Sequence, residues 1–162
     1  MDGFVATYTN RLDAKGRVSV PAPFRDVLAQ EGAKALYCYP ALDQPAIDAG
    51  GMRLRAAIDS RLAVFETFSE DYEILSTAFY GESRVVKIDG DGRIVLPDEF
   101  REVAGIDDTA VFVGQGFKFQ IWEPERFAVR QRDARARLRS VTRALSGRRS
   151  GKEESGDTEE RA

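Results

Sequence analysis

The chain has 162 residues, no histidine and a net charge of −3 at pH 7. Its 43% hydrophobic and 31% charged residues are typical of a soluble globular protein with one ordinary domain or two small ones. The lack of histidine excludes Ser-His-Asp and Cys-His catalysis and the usual zinc ligand sets. The sequence contains neither GxGxxG nor GxxxxGK(S/T), so we expect no nucleotide cofactor. No motif predicts a catalytic residue, a metal site or a small-molecule substrate.

Residues 1–4 lack the basic and then apolar regions of a signal peptide, and no segment is long and apolar enough to cross a membrane. The single cysteine, Cys38, cannot form an intrachain disulfide. It lies in an apolar run, which favours a small buried side chain. Together these features predict a cytoplasmic protein.

The most distinctive segment of the chain occurs twice. Residues 13–25 read DAKGRVSVPAPFR and residues 89–101 read DGDGRIVLPDEFR, and six of the thirteen positions are identical. Each copy predicts a strand, a tight turn with its glycine at φ > 0, and a second strand that ends at a proline. An amphipathic helix of about two turns follows. We therefore predict a duplicated unit of hairpin, proline and helix.

The duplication continues downstream into two further pairs of segments. Residues 35–38 match residues 110–113, and residues 42–48 can be aligned with residues 117–123. Both halves are predicted to end in a closing hairpin. Each is then a small β unit of about 45 to 50 residues, which would bury a poor core by itself. We expect the two halves to bury their faces against each other.

Helical periodicity separates the halves at residues 49–79. Four apolar residues recur on one predicted helix face. They are Leu54, Ile58, Leu62 and Phe65. Ser69 predicts the start of a second helix, because its hydroxyl can cap backbone N–H groups and the acids Glu70 and Asp71 complement the helix dipole. We predict a helical hairpin in this segment.

Pro124 predicts the first turn of a C-terminal helix that runs to about Leu145. Residues 126–149 hold nine arginines against one acid, a local charge of +8, whereas residues 1–125 sum to −8. Two roles remain open for this arginine-rich helix: packing against the acidic body of a neighbouring subunit, or direct contact with DNA. Residues 150–162 sum to −3, and their glycine, serine and glutamate content predicts disorder.

The repeated pattern DxKGRxxxPxxFR, with a helical insert between the copies, resembles the MraZ family, whose halves are SpoVT/AbrB-type domains. The resemblance covers roughly residues 4–145. It implies a mainly β fold with accessory helices (α+β), built as an internal pseudo-dimer of AbrB-like swapped-hairpin units. The implied boundaries are a first domain at 4–48, a helical connector at 49–79, a second domain at 80–123, a C-terminal helix at 124–149 and an acidic tail at 150–162.

The same resemblance implies a bacterial transcriptional regulator. Such a protein would bind double-stranded DNA at direct repeats in the promoter of the division and cell-wall gene cluster. It would form a ring-shaped homo-oligomer and associate with the nucleoid in the cytoplasm. Two alternatives remain open. One is an AbrB-like antitoxin or another protein-interaction module whose acidic tail binds a partner, and the other is a hydrolase that uses carboxylates.

The DNA contacts implied by the resemblance are Asp13 with Arg17 and Asp89 with Arg93, with Lys15 beside the first pair. A guanidinium held at a turn can donate bidentate hydrogen bonds to guanine or to a phosphate, and the aspartate would orient the guanidinium. The other interpretation is an ion pair that only closes the hairpin.

The two copies differ in charge at one position of the turn. Asp91 stands in the second copy where Lys15 stands in the first. We therefore expect Arg17 to contribute more to DNA binding than Arg93. Arg25 and Arg101 also recur, and we interpret them as partners of nearby acids.

Overall fold

The computed structural model describes the backbone of residues 3–160 and the side chains of residues 3–148. Over this part of the chain the fold is mixed α+β, with mostly antiparallel sheet and five α-helices. The chain divides into two compact units between Arg126 and Phe127. No helix among residues 3–160 is both long enough and apolar enough to cross a membrane.

The first unit begins with one half of the duplication. Its strands are β1 (Thr7–Arg11), β2 (Arg17–Ser19), β3 (Ala35–Pro40) and β4 (Ile47–Gly50), and helix α1 (Ala22–Gln30) lies between β2 and β3. Proline precedes α1, as predicted from the sequence.

The helical connector follows. It consists of α2 (Met52–Leu62), α3 (Glu70–Ser76) and a π-helical turn at Thr77–Gly81. The predicted cap is confirmed, since the Ser69 hydroxyl oxygen accepts a hydrogen bond from the backbone N–H of Tyr72 at 3.2 Å. The predicted apolar face is also confirmed, because Leu54, Ile58 and Leu62 are buried against Tyr37 and Tyr39 of β3.

The second half repeats the order of the first. It contains β5 (Arg84–Lys87), β6 (Arg93–Val95), α4 (Asp98–Ala104), β7 (Thr109–Gly114) and β8 (Phe119–Trp122). Gly105 ends α4 in the left-handed conformation with φ +69°, which glycine adopts without the strain that a Cβ would add.

Helix α5 (Pro124–Glu160) is much longer than predicted. Its start at Pro124 agrees with the sequence, but its end lies beyond Leu145 and includes most of the stretch for which disorder was predicted. The physical reason is local: the chain has no proline after Pro124, and arginine, alanine and glutamate are good helix formers. Residues 161 and 162 lie outside the described residues.

Strand pairing links the two halves throughout the first unit. The large sheet has the order β1-β7-β8-β4-β3-β5, and β2 pairs with β6 in a separate two-stranded sheet. β1 pairs with β7 of the other half, and β5 pairs with β3. The closing hairpins β3–β4 and β7–β8 are confirmed, and they meet where Ile47 lies opposite Ile121.

The predicted hairpin at each repeated turn is wrong. The strands on either side of these turns pair with strands of the other half and not with each other. After β1, the backbone N–H of Leu12 donates to the carbonyl of Asp108 at 2.8 Å, which keeps the chain on β7 until the turn begins. Burial of the apolar faces decides which strands lie side by side, and the backbone N–H groups then bond to the neighbouring strand. Here the neighbouring strand belongs to the other half.

One apolar cluster contains buried residues from both halves. Val18, Phe24 and Leu28 come from the first half, and Ile94 and Phe100 come from the second. The Phe24 ring packs against Phe4 and Phe119 with centroid distances of 5.3 and 4.9 Å. Each repeated turn is therefore anchored in a core to which both halves contribute.

Candidate nucleic-acid interface

The first repeated turn is organised by the carboxylate of Asp13. One oxygen, Oδ1, accepts the backbone N–H groups of Lys15 and Arg17, each at 2.9 Å. The other, Oδ2, accepts the Nε–H of Arg17 at 2.7 Å. Gly16 lies at φ +77°, and its N–H donates to the Asp13 carbonyl at 3.0 Å. One side chain thus fixes both the turn and the direction of the guanidinium.

These hydrogen bonds favour the ionised form of Asp13. The backbone N–H of Arg17 is the main cause that lowers the pKa of the Asp13 carboxyl below its ordinary value, and the Arg17 side chain lowers it further. Partial desolvation opposes both effects. The carboxylate is therefore charged at neutral pH and can orient Arg17.

The second turn repeats this geometry. Asp89 Oδ1 accepts the backbone N–H groups of Asp91 and Arg93, each at 2.9 Å, and Oδ2 accepts the Arg93 Nε–H at 3.2 Å. Gly92 has φ +77°, as Gly16 does. The pKa of Asp89 is lowered, chiefly by the backbone N–H of Arg93.

The ladder between β2 and β6 brings the two turns together. It is antiparallel, with Arg17 opposite Val95 and Ser19 opposite Arg93. Residues at alternate positions and their cross-strand partners share a face, so Arg17 and Arg93 lie diagonally on one face of the ladder, about 8 Å apart at Cα by standard strand spacings. Val18 faces the core from the opposite side. The predicted arginines of the two copies therefore lie on one two-stranded surface.

Backbone hydrogen bonds fix each turn to the other copy. The N–H of Val20 donates to the carbonyl of Gly92 at 2.9 Å, and the N–H of Leu96 donates to the carbonyl of Gly16 at 3.0 Å. Neither turn can move without disturbing the other. The spacing of the two arginines is thus set by the backbone and not by flexible side chains.

The arginines differ in how much of their guanidinium remains available. Among the described contacts, Arg17 is hydrogen-bonded only through Nε and the backbone, so both of its terminal nitrogens are free to donate. Arg93 also uses Nη2, which donates to Asp91 Oδ2 at 3.2 Å. Both side chains are about one-third exposed, at 34% and 32%. The second site is therefore more neutralised than the first, because Asp91 replaces the Lys15 charge with a carboxylate.

The sequence interpretation of Arg25 and Arg101 as partners of acids is wrong. Arg25 Nε donates to the carbonyl of Val20 at 3.1 Å, and Arg101 Nη2 donates to the carbonyl of Asp107 at 2.8 Å. Neither guanidinium forms an ion pair within the described part of the chain. Arg25 thus bonds to the backbone at the end of the first turn segment, whereas Arg101 bonds to the backbone of the loop after α4.

Two further polar contacts at the site were missed by sequence reasoning. Asn10 Nδ2 donates to the Ser19 carbonyl at 2.8 Å and ties β1 to β2. Arg84 Nη2 pairs with Glu99 Oε2 at 2.7 Å near the start of α4. The repeat marks neither pair, because Asn10 and Arg84 do not stand at matching positions. Their partners lie nine and fifteen residues away, beyond the reach of a local motif.

Comparisons with known proteins show what the chain is related to. A family model described as "MraZ protein, putative antitoxin-like" matches residues 79–148. The Transcriptional regulator MraZ of Xanthobacter autotrophicus is 51% identical over 148 residues, which cover 91% of this chain and 94% of that relative. The chain belongs to the MraZ family. Other MraZ relatives agree: that of Azorhizobium caulinodans is 50% identical over 94% of this chain and 97% of its own length, and that of Parvibaculum lavamentivorans is 42% identical over 85% and 86%.

Membership of the MraZ family also bears on function. These relatives are named as transcriptional regulators, which supports regulation of transcription, and not catalysis, as the coarse function of this chain. The MraZ resemblance predicted from the repeated turn is confirmed by these comparisons.

Proposed function

We propose that this chain is a sequence-specific DNA-binding regulator of transcription in which the two Asp-Arg turns contact the double helix. The observation that carries the proposal is the shared face of the β2–β6 ladder, where Arg17 and Arg93 stand diagonally with their guanidinium groups oriented by carboxylates. A two-stranded ribbon fits the major groove, and an oriented guanidinium can donate two hydrogen bonds to guanine or to a phosphate.

Charge supports unequal use of the two turns. Asp13, Lys15 and Arg17 sum to +1, whereas Asp89, Asp91 and Arg93 sum to −1. A net positive turn is favoured near phosphates, because neutralising a phosphate releases condensed counterions. The first turn is therefore the main contact in this proposal, and Asp13 acts on Arg17 and not on DNA.

The weak charge of a single site requires several sites to act together. The whole chain carries −3, so the affinity of one copy for DNA would be low. In the ring-shaped homo-oligomer of the proposal, linked turns bind successive direct repeats, and each contact raises the effective concentration of the next. The proposed target is the promoter of the division and cell-wall gene cluster, which places the protein in the cytoplasm at the nucleoid.

The proposed architecture follows the strand exchange between halves. We describe residues 4–48 and 80–123 as two SpoVT/AbrB-type units that form an internal pseudo-dimer of swapped hairpins. The pairing of β1 with β7 and of β5 with β3 supports it, since equivalent strands exchange partners between the halves. In this architecture the β2–β6 ladder lies at the pseudo-dyad and presents both arginines.

Fluorescence anisotropy tests the proposal directly. The purified protein is titrated onto a labelled duplex from the region upstream of its own gene and onto a scrambled duplex, across a salt series. We expect preferential binding that weakens as salt rises, a large loss for Arg17→Ala and a smaller loss for Arg93→Ala. Replacing a guanidinium that contacts one base pair typically weakens binding by about 1–3 kcal/mol, or about 5- to 150-fold.

Arg61→Ala is the matched control, since Arg61 is an exposed arginine of α2 outside the turns. Its affinity should equal that of the unaltered protein. Binding that is indifferent to sequence and to Arg17 would contradict the proposal. Equal losses for Arg17→Ala and Arg93→Ala would keep the site and refute the ordering of the two turns.

A second candidate function has one observation in its favour. The matching family model is described as antitoxin-like. An antitoxin would bind a small protein encoded by a neighbouring gene. Co-expression and affinity purification with such neighbours test this function, and a stoichiometric complex that survives Arg17→Ala, without promoter binding, would favour it.

A further inference from the structure

Helix α5 leaves an apolar stripe without a partner in the described chain. Leu138, Val141 and Leu145 are 52%, 61% and 62% exposed. Together with Ala134 they follow a spacing of four, three and four residues, which places them on one helix face and is the spacing of a coiled-coil seam. Long exposed apolar side chains in such a row are typical of a surface that contacts another helix.

Arginines surround this stripe. Arg137 lies three residues after Ala134 and four before Val141, and Arg148 lies three residues after Leu145, so both border the apolar row. Arg137 pairs with Asp133 at 3.6 Å. Four other arginines of α5, together with Arg148, form no ion pair within the described chain. These four are Arg132, Arg135, Arg139 and Arg143.

The helical connector also has exposed apolar residues, and the charged residues around them are acidic, whereas those around the α5 stripe are basic. Val64, Phe68 and Ile74, at the α2–α3 turn and on α3, are 79%, 86% and 59% exposed. Phe68 also has φ +69°, which is unfavourable for a bulky side chain. A strained backbone that projects a phenyl ring into water costs free energy in the isolated chain, and contact with a partner would offset part of this cost.

The acids around this turn form no ion pair within the part of the chain that the structure describes. They are exposed carboxylates that lie within eight residues of each other. They are Glu66, Glu70, Asp71 and Glu73. The surface formed by residues 64–74 is therefore apolar and acidic, whereas the exposed surface of α5 is apolar and basic.

We propose that the apolar stripe of α5 in one copy docks on the 64–74 surface of a second copy. Apolar faces of similar extent would be buried on both sides, and the arginines would meet unpaired carboxylates. Pairing of α5 with another α5 is disfavoured, because the arginines that flank the two stripes would repel each other. DNA accounts for the arginines but not for Leu138, Val141 and Leu145, so a protein partner fits the whole surface better.

The contact joins two different surfaces, so each copy can use one of each. Such head-to-tail interfaces generate closed rings when the rotation closes. The inference rests on the proposed self-assembly. It goes further by identifying the two surfaces in contact, the apolar stripe of α5 and the 64–74 surface. Neither surface includes a residue of the β2–β6 ladder.

Light scattering coupled to size-exclusion chromatography tests the contact on the full chain. The α5 variant is Leu138→Glu with Val141→Glu, and its matched control is Ala136→Glu with Ser140→Glu. The control makes the same change in charge on the opposite face of the same helix. We expect the unaltered protein and the control to be oligomers, and the α5 variant to be a monomer with unchanged helical circular dichroism.

The connector variant is Phe68→Asn with Val64→Asn, because asparagine tolerates a positive φ and preserves the turn. Its control is Thr67→Asn. We expect the connector variant to be monomeric also. Mixed in equal amounts, the two monomeric variants should form a species of two chains and nothing larger, since one intact contact remains between them.

The other outcomes overturn the inference in distinguishable ways. If the unaltered protein assembles and the variants keep its mass, the inference fails and the proposed assembly stands. If the unaltered protein is a monomer, both the inference and the proposed assembly fail. Normal assembly of the connector variant would point to pairing of α5 with itself. Loss of promoter binding by the α5 variant at unchanged mass, with the control unaffected, would assign α5 to DNA.

Discussion

The guanidinium of Arg25 packs directly over Gly92, the turn glycine of the other repeat. A Cβ at Gly92 would lie 2.6 Å from Arg25 Cζ and 2.4 Å from its Nη1. The reciprocal contact is looser, because a Cβ at Gly16 would lie 3.3 Å from Arg101 Nη1. The helix that follows each turn therefore covers the turn of its counterpart, and this explains why glycine and arginine recur together.

Replacing these glycines should reveal the contact as a graded loss of stability. Gly32 also has a positive φ, of +75°, but nothing lies within 4 Å of its would-be Cβ. Gly32→Ala should lower the free energy of unfolding by about 1 kcal/mol, the cost of the left-handed backbone alone. Gly16→Ala should cost slightly more, and Gly92→Ala the most, about 2 kcal/mol, because Arg25 must move and would give up its hydrogen bond to the Val20 carbonyl. Denaturant unfolding measures all three, and equal losses would contradict the role of the arginines.

The carboxylate of Asp13 should make stability depend on pH. Its folded-state pKa is lowered below the ordinary 3.8, so the stabilisation that it contributes is present above about pH 4. It is lost as the pH falls through the folded pKa. Asp13→Asn should therefore unfold at lower denaturant concentration than the unaltered protein at pH 7, and the difference should shrink below pH 3.8.

Asp26→Asn provides the comparison for this experiment, since Asp26 is an exposed aspartate of α1 outside the turn. Its unfolding midpoint should follow that of the unaltered protein at each pH. A constant difference between Asp13→Asn and the unaltered protein from pH 7 to pH 3 would show that the turn does not depend on the charge of Asp13.

A largely buried ion pair between Asp48 of β4 and Lys118, the residue before β8, should couple the two halves. Lys118 Nζ lies 2.9 Å from Asp48 Oδ2, with side chains only 18% and 9% exposed, and Gln120 Nε2 donates to Asp48 Oδ1 at 2.8 Å. Lys118→Met leaves a buried carboxylate without its cation and should cost about 3 kcal/mol. Asp48→Asn keeps an acceptor for Gln120 but leaves the lysine unpaired.

The double substitution Asp48→Asn with Lys118→Met should cost less than the sum of the two single losses, because neither unpaired charge remains. Chemical unfolding of the four proteins gives the coupling free energy. Lys34→Met, at an exposed lysine, should change stability little. Strict additivity would mean that the pair contributes no coupling.

The second turn can be given the charge of the first by Asp91→Lys. The substitution removes the carboxylate that binds Arg93 Nη2 and adds a cation where Lys15 stands in the first copy. We expect tighter promoter binding and a salt dependence that is steeper by up to about two counterions. Asp43→Lys makes the same charge change in an exposed loop. An equal gain from both would indicate general attraction to DNA and not a contact at the second turn.

Local features of the fold could be predicted because the groups that form them are neighbours in sequence. Asp13 reaches the N–H groups two and four residues ahead, Ser69 reaches the N–H three residues ahead, and Pro124 begins α5. The MraZ resemblance depends on the same local pattern. The end of α5 could not be predicted, because the glycine and serine content of residues 150–162 favours disorder, whereas their glutamates favour helix.

The duplication, the Asp-Gly-Arg turns and the family resemblance can be recognised from the amino-acid sequence, since these are properties of short segments. The pairing of β2 with β6, the shared face of Arg17 and Arg93, and the packing of Arg25 over Gly92 are apparent only in the folded chain. Backbone hydrogen bonds are the same for every residue, so a strand carries little information about its partner. The partner is selected when the apolar faces of both halves are buried in one core, and that choice depends on the whole chain.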